Sequence, residues 1–245
     1  GSAEIRLGYY MCMDTGGVVT PMQGEKTKDP TFGMDAIWIP EENRGDAEAA
    51  GYVVIDPPTI IATHITEIIR SHAAEMLGRQ EVSSILDVVK EHNPVLIDEV
   101  LNTAKLTYGQ IEKVLQNLLQ EKVSIRNIIT ILETMANYAG VTNSVWELTK
   151  KVREALGLQI CMQYVDKDDG NKLRVMAFSQ ELAELVQQHA YFPSDGSKPY
   201  VAFDPVDNRK WILSISAALS KMNQLGYMPI ILCVSSIRQL VKAAI

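Results

Sequence analysis

Residues 24–39 read GEKTKDPTFGMDAIWI, and the pattern changes halfway from turn residues and mixed charges to an apolar run. This change predicts a loop that leads into a strand. Pro30 restricts Asp29 to extended backbone, and Gly33 can adopt a φ angle that bulky residues avoid. Phe32 is therefore expected on a stiff bend. Two interpretations stay open: the ring folds back into the core, as aromatic rings commonly do, or it stands at the rim of a groove and is offered to a partner.

Length and composition indicate an ordinary globular protein. The chain has 245 residues, of which 47% are hydrophobic and 22% charged. That length is enough for one large domain or for two to three small ones. No apolar run approaches the roughly 20 residues that cross a bilayer, so no membrane span is predicted within this sequence.

The net charge of −7 comes without a dense basic stripe, which disfavours nucleic acid as a partner. The cysteines Cys12, Cys161 and Cys233 are far apart and lie among apolar neighbours. Their spacing fits neither a zinc site nor a disulfide framework, so we expect buried free thiols in a reducing compartment.

The first part of the chain predicts a small α+β unit. Residues 3–13 have the aromatic and aliphatic bias of a strand, and a turn follows at 14–17. A short helix is expected at 41–50, closed by Gly51 in a left-handed conformation, with a strand at 52–55 behind it.

Asp56 is the expected cap of a long helix that begins at Pro57. Apolar residues recur along this helix at helical spacing, so one face is predicted to be buried. They are Ile61, Ile65, Ile68, Ile69, Met76 and Leu77.

Residues 79–157 predict an all-helical module. Thr107 and Gln110 have the spacing of a capping box, and the apolar stripe of an amphipathic helix follows them. Ser124 is the expected cap of the next helix.

The period becomes strand-like after residue 157, which predicts a second α/β unit. A hairpin is expected from 158–165 and 172–178, and residues 228–234 have the continuous apolar pattern of a strand buried on both faces. Helices are expected at 180–190, 206–225 and, capped by Ser235, 237–244.

We find no motif that carries catalysis. His64 with Glu67 and His72 with Glu75 repeat a His-x-x-Glu pattern on one helix, but no matching Glu-x-x-His pair could complete a carboxylate-bridged metal site. A solvated or interfacial polar face is the simpler interpretation. The acidic segment 166–171 lacks the bidentate Glu of a calcium loop and predicts a hairpin turn. Because phosphate-binding and nucleophile motifs are also absent, we expect no enzyme, no catalytic residues and no cofactor.

A series of longer motifs resembles the cytoplasmic half of the FlhA family, also called FHIPEP, the large export-gate proteins of flagellar and virulence type III secretion. The pattern at 79–81 is similar to the flagellar branch. The motifs are GEKTKDPTFG at 24–33, AIWI at 36–39, AE at 47–48, GYVV at 51–54, IIATHI at 60–65, GRQE at 78–81, VLQNLLQE at 114–121, SIR at 124–126 and ILE at 131–133.

This resemblance implies an α+β chain of several subdomains on the cytoplasmic face of the bacterial inner membrane, anchored by a preceding transmembrane bundle and assembled as a ring of nine copies. Residues 3–56 correspond to the small second subdomain and 57–76 to the returning helix of the first. The helical third subdomain corresponds to 77–156, and the α/β fourth to 157–245. The family's first subdomain begins upstream of Ala3 and a closing strand follows Ile245, so both end sheets are expected to be incomplete, with edges that a neighbour could complete.

The resemblance also implies a function. In that family, flagellar export chaperones with bound subunits dock in a hydrophobic dimple, whose residues fall by motif on Asp29, Phe32 and Thr63. The expectation is thus a docking and gating platform that orders export, with other export-apparatus proteins as further partners. The alternative is a ring-forming structural component of an injectisome gate.

Overall fold

The computed structural model describes residues 5–31, 33–167, 169–193 and 199–245. The chain divides into two compact units, Gly1–Met76 and Leu77–Ile245, which we describe separately. Both contain helices and short strands, so the predicted α+β class is confirmed. No helix in these described ranges combines the length and the apolar character needed to cross a membrane.

The first unit is built on a four-stranded antiparallel sheet with the order β2-β3-β1-β4. The loop predicted before the apolar run at 36–39 is wrong in part, because residues 25–28 form strand β2. Their polar and charged side chains lack the apolar alternation that predicts a strand, but they suit the edge of the sheet, where charged side chains discourage pairing with other chains. Of the strand predicted at 3–13, residues 9–13 form a strand and residues 5–8 do not, whereas residues 3 and 4 lie outside the described residues. The strands are β1 (Tyr9–Met13), β2 (Glu25–Lys28), β3 (Asp35–Pro40) and β4 (Val53–Ile55).

Helices cover both faces of this sheet. Side chains alternate along β1, so Met11 faces one side and Cys12 the other. Helix α2 (Pro57–Met76) packs on the first face through Ile60, in a cluster with Met11 and Trp38. Helix α1 (Arg44–Ala49) places Ala47 against Cys12 on the second face. The sheet is thus the middle layer of the unit.

The predicted buried stripe of α2 is exposed instead. Ile60 is 2% exposed, whereas Ile65, on the opposite side of the helix, is 50% exposed. The narrow sheet packs against the side that carries Ile60, and no described residue of this unit encloses the opposite side. Of the predicted positions only Leu77, which lies beyond the helix, is buried. The exposed members of the stripe are Ile61, Ile65, Ile68, Ile69 and Met76.

The second unit begins with a helical module around one continuous apolar core. The capping box is confirmed: Gln110 N donates to Thr107 Oγ1 over 3.2 Å, and Thr107 N donates to Gln110 Oε1 over 2.9 Å. Ser124 does not cap the next helix, which begins at Ile128. The Ser124 hydroxyl instead accepts a hydrogen bond from Arg126 N, inside the loop that precedes this helix. The module contains α3 (Arg79–His92), α4 (Pro94–Asp98), a π-helical segment (Glu99–Thr103), α5 (Tyr108–Gln120), α6 (Ile128–Ala139) and α7 (Val145–Ala155).

The predicted strand at 158–165 is wrong, because Gly157–Met162 forms helix α8. Ile160 packs against the helical core, and Gln159 Nε2 donates to the Ser124 carbonyl over 3.1 Å. These contacts with the preceding helices favour a continued helical path over a hairpin. An isolated antiparallel bridge between Asp166 and Lys172 is what remains of the hairpin.

The C-terminal α/β part has small sheets only, as expected for incomplete ones. Its helices enclose a core with Val186, Trp211 and Leu240. The predicted strand at 228–234 shrinks to two residues, and the expected burial on both faces is wrong because Leu232 is 57% exposed. Ile237, not Ser235, precedes the last helix as its N-cap residue. The elements are β5 (Met176–Ala177), α9 (Gln180–Gln188), β6 (Ala190–Tyr191), β7 (Tyr200–Val201), α10 (Pro205–Gln224), β8 (Ile231–Leu232) and α11 (Arg238–Ala244), with β5 and β8 parallel.

The three thiols are free, but they differ in exposure. Cys12 is buried as predicted, and burial raises its pKa to about 11. Cys233 is partly buried, and burial also raises its pKa. The expected burial of Cys161 is wrong, because the helix that replaces the predicted strand turns this residue toward solvent.

Candidate docking site

The bend at 29–34 connects β2 to β3 and is closed by its own backbone. Asp29 N donates to the Met34 carbonyl over 2.8 Å, and Gly33 N donates to the Asp29 carbonyl, also over 2.8 Å. The bend joins the ends of the two strands, where Lys28 of β2 lies opposite Asp35 of β3 in the sheet register. The bend is therefore a tight extension of the sheet with fixed ends.

Gly33 has a φ of +68°, which confirms the predicted left-handed glycine. A Cβ atom built at Gly33 would meet no heavy atom of the described residues within 4 Å. The glycine is therefore required by backbone conformation and not by a close neighbour. This distinction sets the size of the effect expected from substitution.

Asp29 is buried, with 6% of the residue exposed. Its Oδ2 accepts a hydrogen bond from Thr31 N over 3.2 Å. Residue patterns do not reveal this burial, because a charged side chain in a loop is ordinarily solvated. The carboxylate therefore shapes the bend from inside, in addition to any contact with a partner.

Phe32 and Thr63 are the other two residues predicted at this site. Phe32 falls outside the described residues. Thr31 Oγ1 is buried without a hydrogen-bond partner among the residues that the structure describes. A buried hydroxyl without a hydrogen-bond partner costs free energy. The hydrogen-bonding groups in this part of the bend are therefore incompletely satisfied.

Thr63 is exposed on α2, one turn after the buried Ile60. Because residues three apart are neighbours on a helix surface, Ile60 holds Thr63 near the sheet side of the helix. Ile60 itself packs with Ala36 and Trp38 of β3, the strand that the bend enters. Asp29 and Thr63 are thus carried by elements that meet at one sheet.

The polar face predicted on α2 is present. Ser71 Oγ donates to Glu67 Oε1 over 3.2 Å, and His72 Nδ1 lies 3.0 Å from Glu75 Oε2. These residues satisfy one another along the helix, which agrees with the interpretation as a solvated or interfacial face.

Sequence reasoning missed a second polar cluster, formed by His189, Asp204 and Asp207. Their ligand atoms all lie within 4.8 Å of one another. Asp204 Oδ1 accepts two backbone N–H bonds as the cap of α10, chiefly that of Asp207, which lowers its pKa, and Lys210 Nζ lies 3.1 Å from Asp207 Oδ1. The Asp204 carboxylate thus caps a helix, and the Asp207 carboxylate forms an ion pair with Lys210. Asp204 is recognisable in the sequence as a cap, but His189 reaches it only through the β6–β7 pairing.

Comparison with known proteins gives a match over the whole chain. A model of the FHIPEP family matches residues 1–245. The flagellar biosynthesis protein FlhA of Treponema pallidum is 40% identical over 237 residues, which are 96% of this chain and 33% of that protein. The FlhA protein of Bacillus subtilis is 35% identical over 239 residues, covering 98% of this chain and 35% of its own length. The chain thus spans about a third of the length of these relatives.

Solved structures share the fold. The Chlamydia pneumoniae CdsV protein has a TM-score of 0.76 at 22% identity, covering 99% of this chain and 67% of that chain. Nonameric SctV-C of EPEC has a TM-score of 0.70 at 23% identity, with 96% and 69% covered. A complex of CdsV with CdsO from Chlamydia pneumoniae matches at a TM-score of 0.69 and 25% identity, with 85% and 60% covered.

Proposed function

The chain belongs to the FHIPEP family, and on that premise we propose that it is a docking and gating platform of a flagellar type III protein export gate. It receives export chaperones that carry their subunits and orders the entry of those subunits into the export channel. The observation that carries the proposal is the family match over residues 1–245, a range that includes the motif at 24–33. The flagellar relatives named above, at 35–40% identity, favour the flagellar branch.

The docking residues are Asp29, Phe32 and Thr63. The stiffness of the bend supports this choice, because a side chain on a rigid backbone loses little conformational entropy when a partner covers it. Asp29 holds the bend from inside, and Thr63 adds a hydroxyl on the adjoining helix. Phe32 supplies the anchor, since burial of an aromatic ring contributes roughly 1.5–3 kcal/mol.

The test is a calorimetric titration of the chain with a flagellar export chaperone that carries its subunit. Phe32→Ala should weaken the affinity by roughly 10- to 100-fold, the equivalent of that burial energy. Phe192→Ala is the matched control, because Phe192 is an exposed phenylalanine of the C-terminal part. Equal affinities of Phe32→Ala and the parent chain, with the fold intact, would remove the site assignment.

A ring-forming role in an injectisome gate is the second candidate. The nonameric relative favours self-association, and the CdsV–CdsO complex favours contacts with other export-apparatus proteins. Analytical ultracentrifugation together with the titration separates the two roles. Ring-sized species that lack chaperone affinity would support the structural role, whereas chaperone affinity supports the docking platform.

The proposed location is the cytoplasmic face of the bacterial inner membrane. It follows from the type III export role and from the relatives, of which this chain covers only about a third. Fractionation of cells that express the full-length protein, with an antibody to this segment, tests the location. Accessibility of the segment from the cytoplasm in inverted membrane vesicles is the expected result.

A further inference from the structure

The helical module and the C-terminal α/β part keep separate apolar cores inside the second unit. Among the described residues, no side chain belongs to both clusters. Helix α11 belongs to the C-terminal core through Leu240 and Val241. Any contact that it makes with the helical module is therefore outside both cores. Interfaces of this kind, with polar contacts in place of a shared core, ordinarily allow relative motion.

Polar bonds cross this junction at the start of α11. Arg238 Nη2, at the start of α11, lies 2.9 Å from Glu121 Oε1 at the end of α5. The next residue, Gln239, donates from Nε2 to the Trp146 carbonyl of α7 over 3.3 Å. On the module side, Arg153 Nη1 lies 2.6 Å from Glu121 Oε2. One carboxylate thus bridges a guanidinium of the module and one of the C-terminal part.

The three charged side chains are largely shielded from water. Glu121, Arg153 and Arg238 expose 20%, 17% and 26% of their side chains, so salt screens them less than surface pairs. Burial lowers the pKa of Arg153, and the Glu121 carboxylate opposes this effect. Without that carboxylate, two guanidinium groups would face each other, and the junction would be repulsive.

A cavity of about 270 Å³ lies beside this bridge, between α5, α7 and α11. Asn117, Trp146 and Lys242 are among its lining residues, and Glu121 and Gln239, which form the crossing bonds, also line it. Where the cavity separates α11 from α5 and α7, the facing atoms gain little dispersion energy from one another. The ion pair of Arg238 and the hydrogen bond of Gln239 hold α11 to the module beside this cavity.

We propose that Glu121 is an electrostatic clamp that fixes the C-terminal part on the helical module, and that its release lets α11 separate across the cavity. The clamp gives the second unit two states: in the attached state α11 is held on the module, and in the released state α11 loosens while the core of the helical module stays intact. A partner that withdraws or neutralises Glu121 would shift the unit to the released state.

Hydrogen exchange of the intact chain, measured by mass spectrometry, tests the clamp. Glu121→Gln should accelerate exchange in α11 by roughly tenfold or more, because a charge-assisted bond is lost and two cations are left together. Arg238→Gln should have a smaller effect, since it removes the bond without creating repulsion. Glu154→Gln is the matched control: Glu154 forms an exposed ion pair with Lys151 in α7, and its loss should leave α11 unchanged.

Salt gives a second readout. Raising sodium chloride should speed α11 exchange in the parent chain, where salt weakens the attraction, and slow it in Glu121→Gln, where salt screens the repulsion between the two guanidinium groups. The proposal is overturned if α11 exchange is unchanged in Glu121→Gln. It is also overturned if α5 and α6 accelerate as much as α11, because that pattern describes global destabilisation. Arg238→Gln distinguishes these outcomes should Glu121→Gln fail to fold.

Discussion

Substituting Gly33 by alanine isolates the role of the bend. Gly33 has a φ of +68°, and no described heavy atom lies within 4 Å of the position that a Cβ would take. The added methyl group therefore meets open space. Its whole effect acts through the backbone of the bend, which two hydrogen bonds of 2.8 Å close.

The change in stability expected for Gly33→Ala follows from two opposing effects. An L-residue in the left-handed region costs roughly 1–2 kcal/mol. Alanine also restricts the unfolded chain, which returns roughly 0.4–1 kcal/mol. We expect Gly33→Ala to destabilise the first unit by about 1 kcal/mol. If docking needs the closed bend, the affinity for a chaperone–subunit complex should fall by roughly threefold to tenfold, because the same strain opposes the competent conformation.

Gly170→Ala is the matched control for this experiment. Gly170 has a φ of +65° and equally open surroundings among the described residues, but it lies in the 166–172 turn of the second unit. Hydrogen exchange should report the strain in β3 for Gly33→Ala and near the turn for Gly170→Ala. Calorimetric titration should show weaker binding for the first variant only. Parent-like affinity in a Gly33→Ala protein whose β3 amides exchange faster would refute the requirement for a rigid bend.

Three further results are expected. Ile60→Ala should lower the free energy of unfolding of the first unit by roughly 2–4 kcal/mol, as measured by urea denaturation, because Ile60 is enclosed. Ile65→Ala should lower it by less than about 1 kcal/mol, because Ile65 is exposed, and equal losses would contradict the exposed stripe. Iodoacetamide at pH 9 should alkylate the exposed Cys161 and spare Cys12, whose pKa of about 11 keeps it a thiol at that pH; peptide mapping that finds both modified would contradict this. Thr107→Ala should lower stability by about 1 kcal/mol through loss of the helix cap, as measured by thermal unfolding.

The helical module was predictable because its signals are local. Side chains three and four residues apart meet on one helix, so the period of the sequence specifies both the helix and its buried face. The Thr107 capping box is equally local, since its two hydrogen bonds link residues three apart. Residues 158–162 show the limit of this reasoning, because an apolar run that short fits a strand as well as a helix. Contact with the preceding helices decided between them.

Helix α2 shows that periodicity identifies a helix without showing which face is covered. The apolar stripe with Ile65 is the stronger pattern, yet the sheet covers the side with Ile60. At the candidate site, the left-handed Gly33 was predictable because its neighbours in sequence demand a turn. The burial of Asp29 was not, since it depends on the strand pair that closes the bend.

A footprint of the bound chaperone–subunit complex on the chain tests the docking proposal most directly. Hydrogen exchange by mass spectrometry would compare the free and bound chain over the bend at 29–34 and the first turns of α2 around Thr63. We predict slower exchange at both places on binding, with α11 as an unaffected reference. Protection confined to other segments, with both of these unchanged, would contradict the assignment of this bend as the docking site.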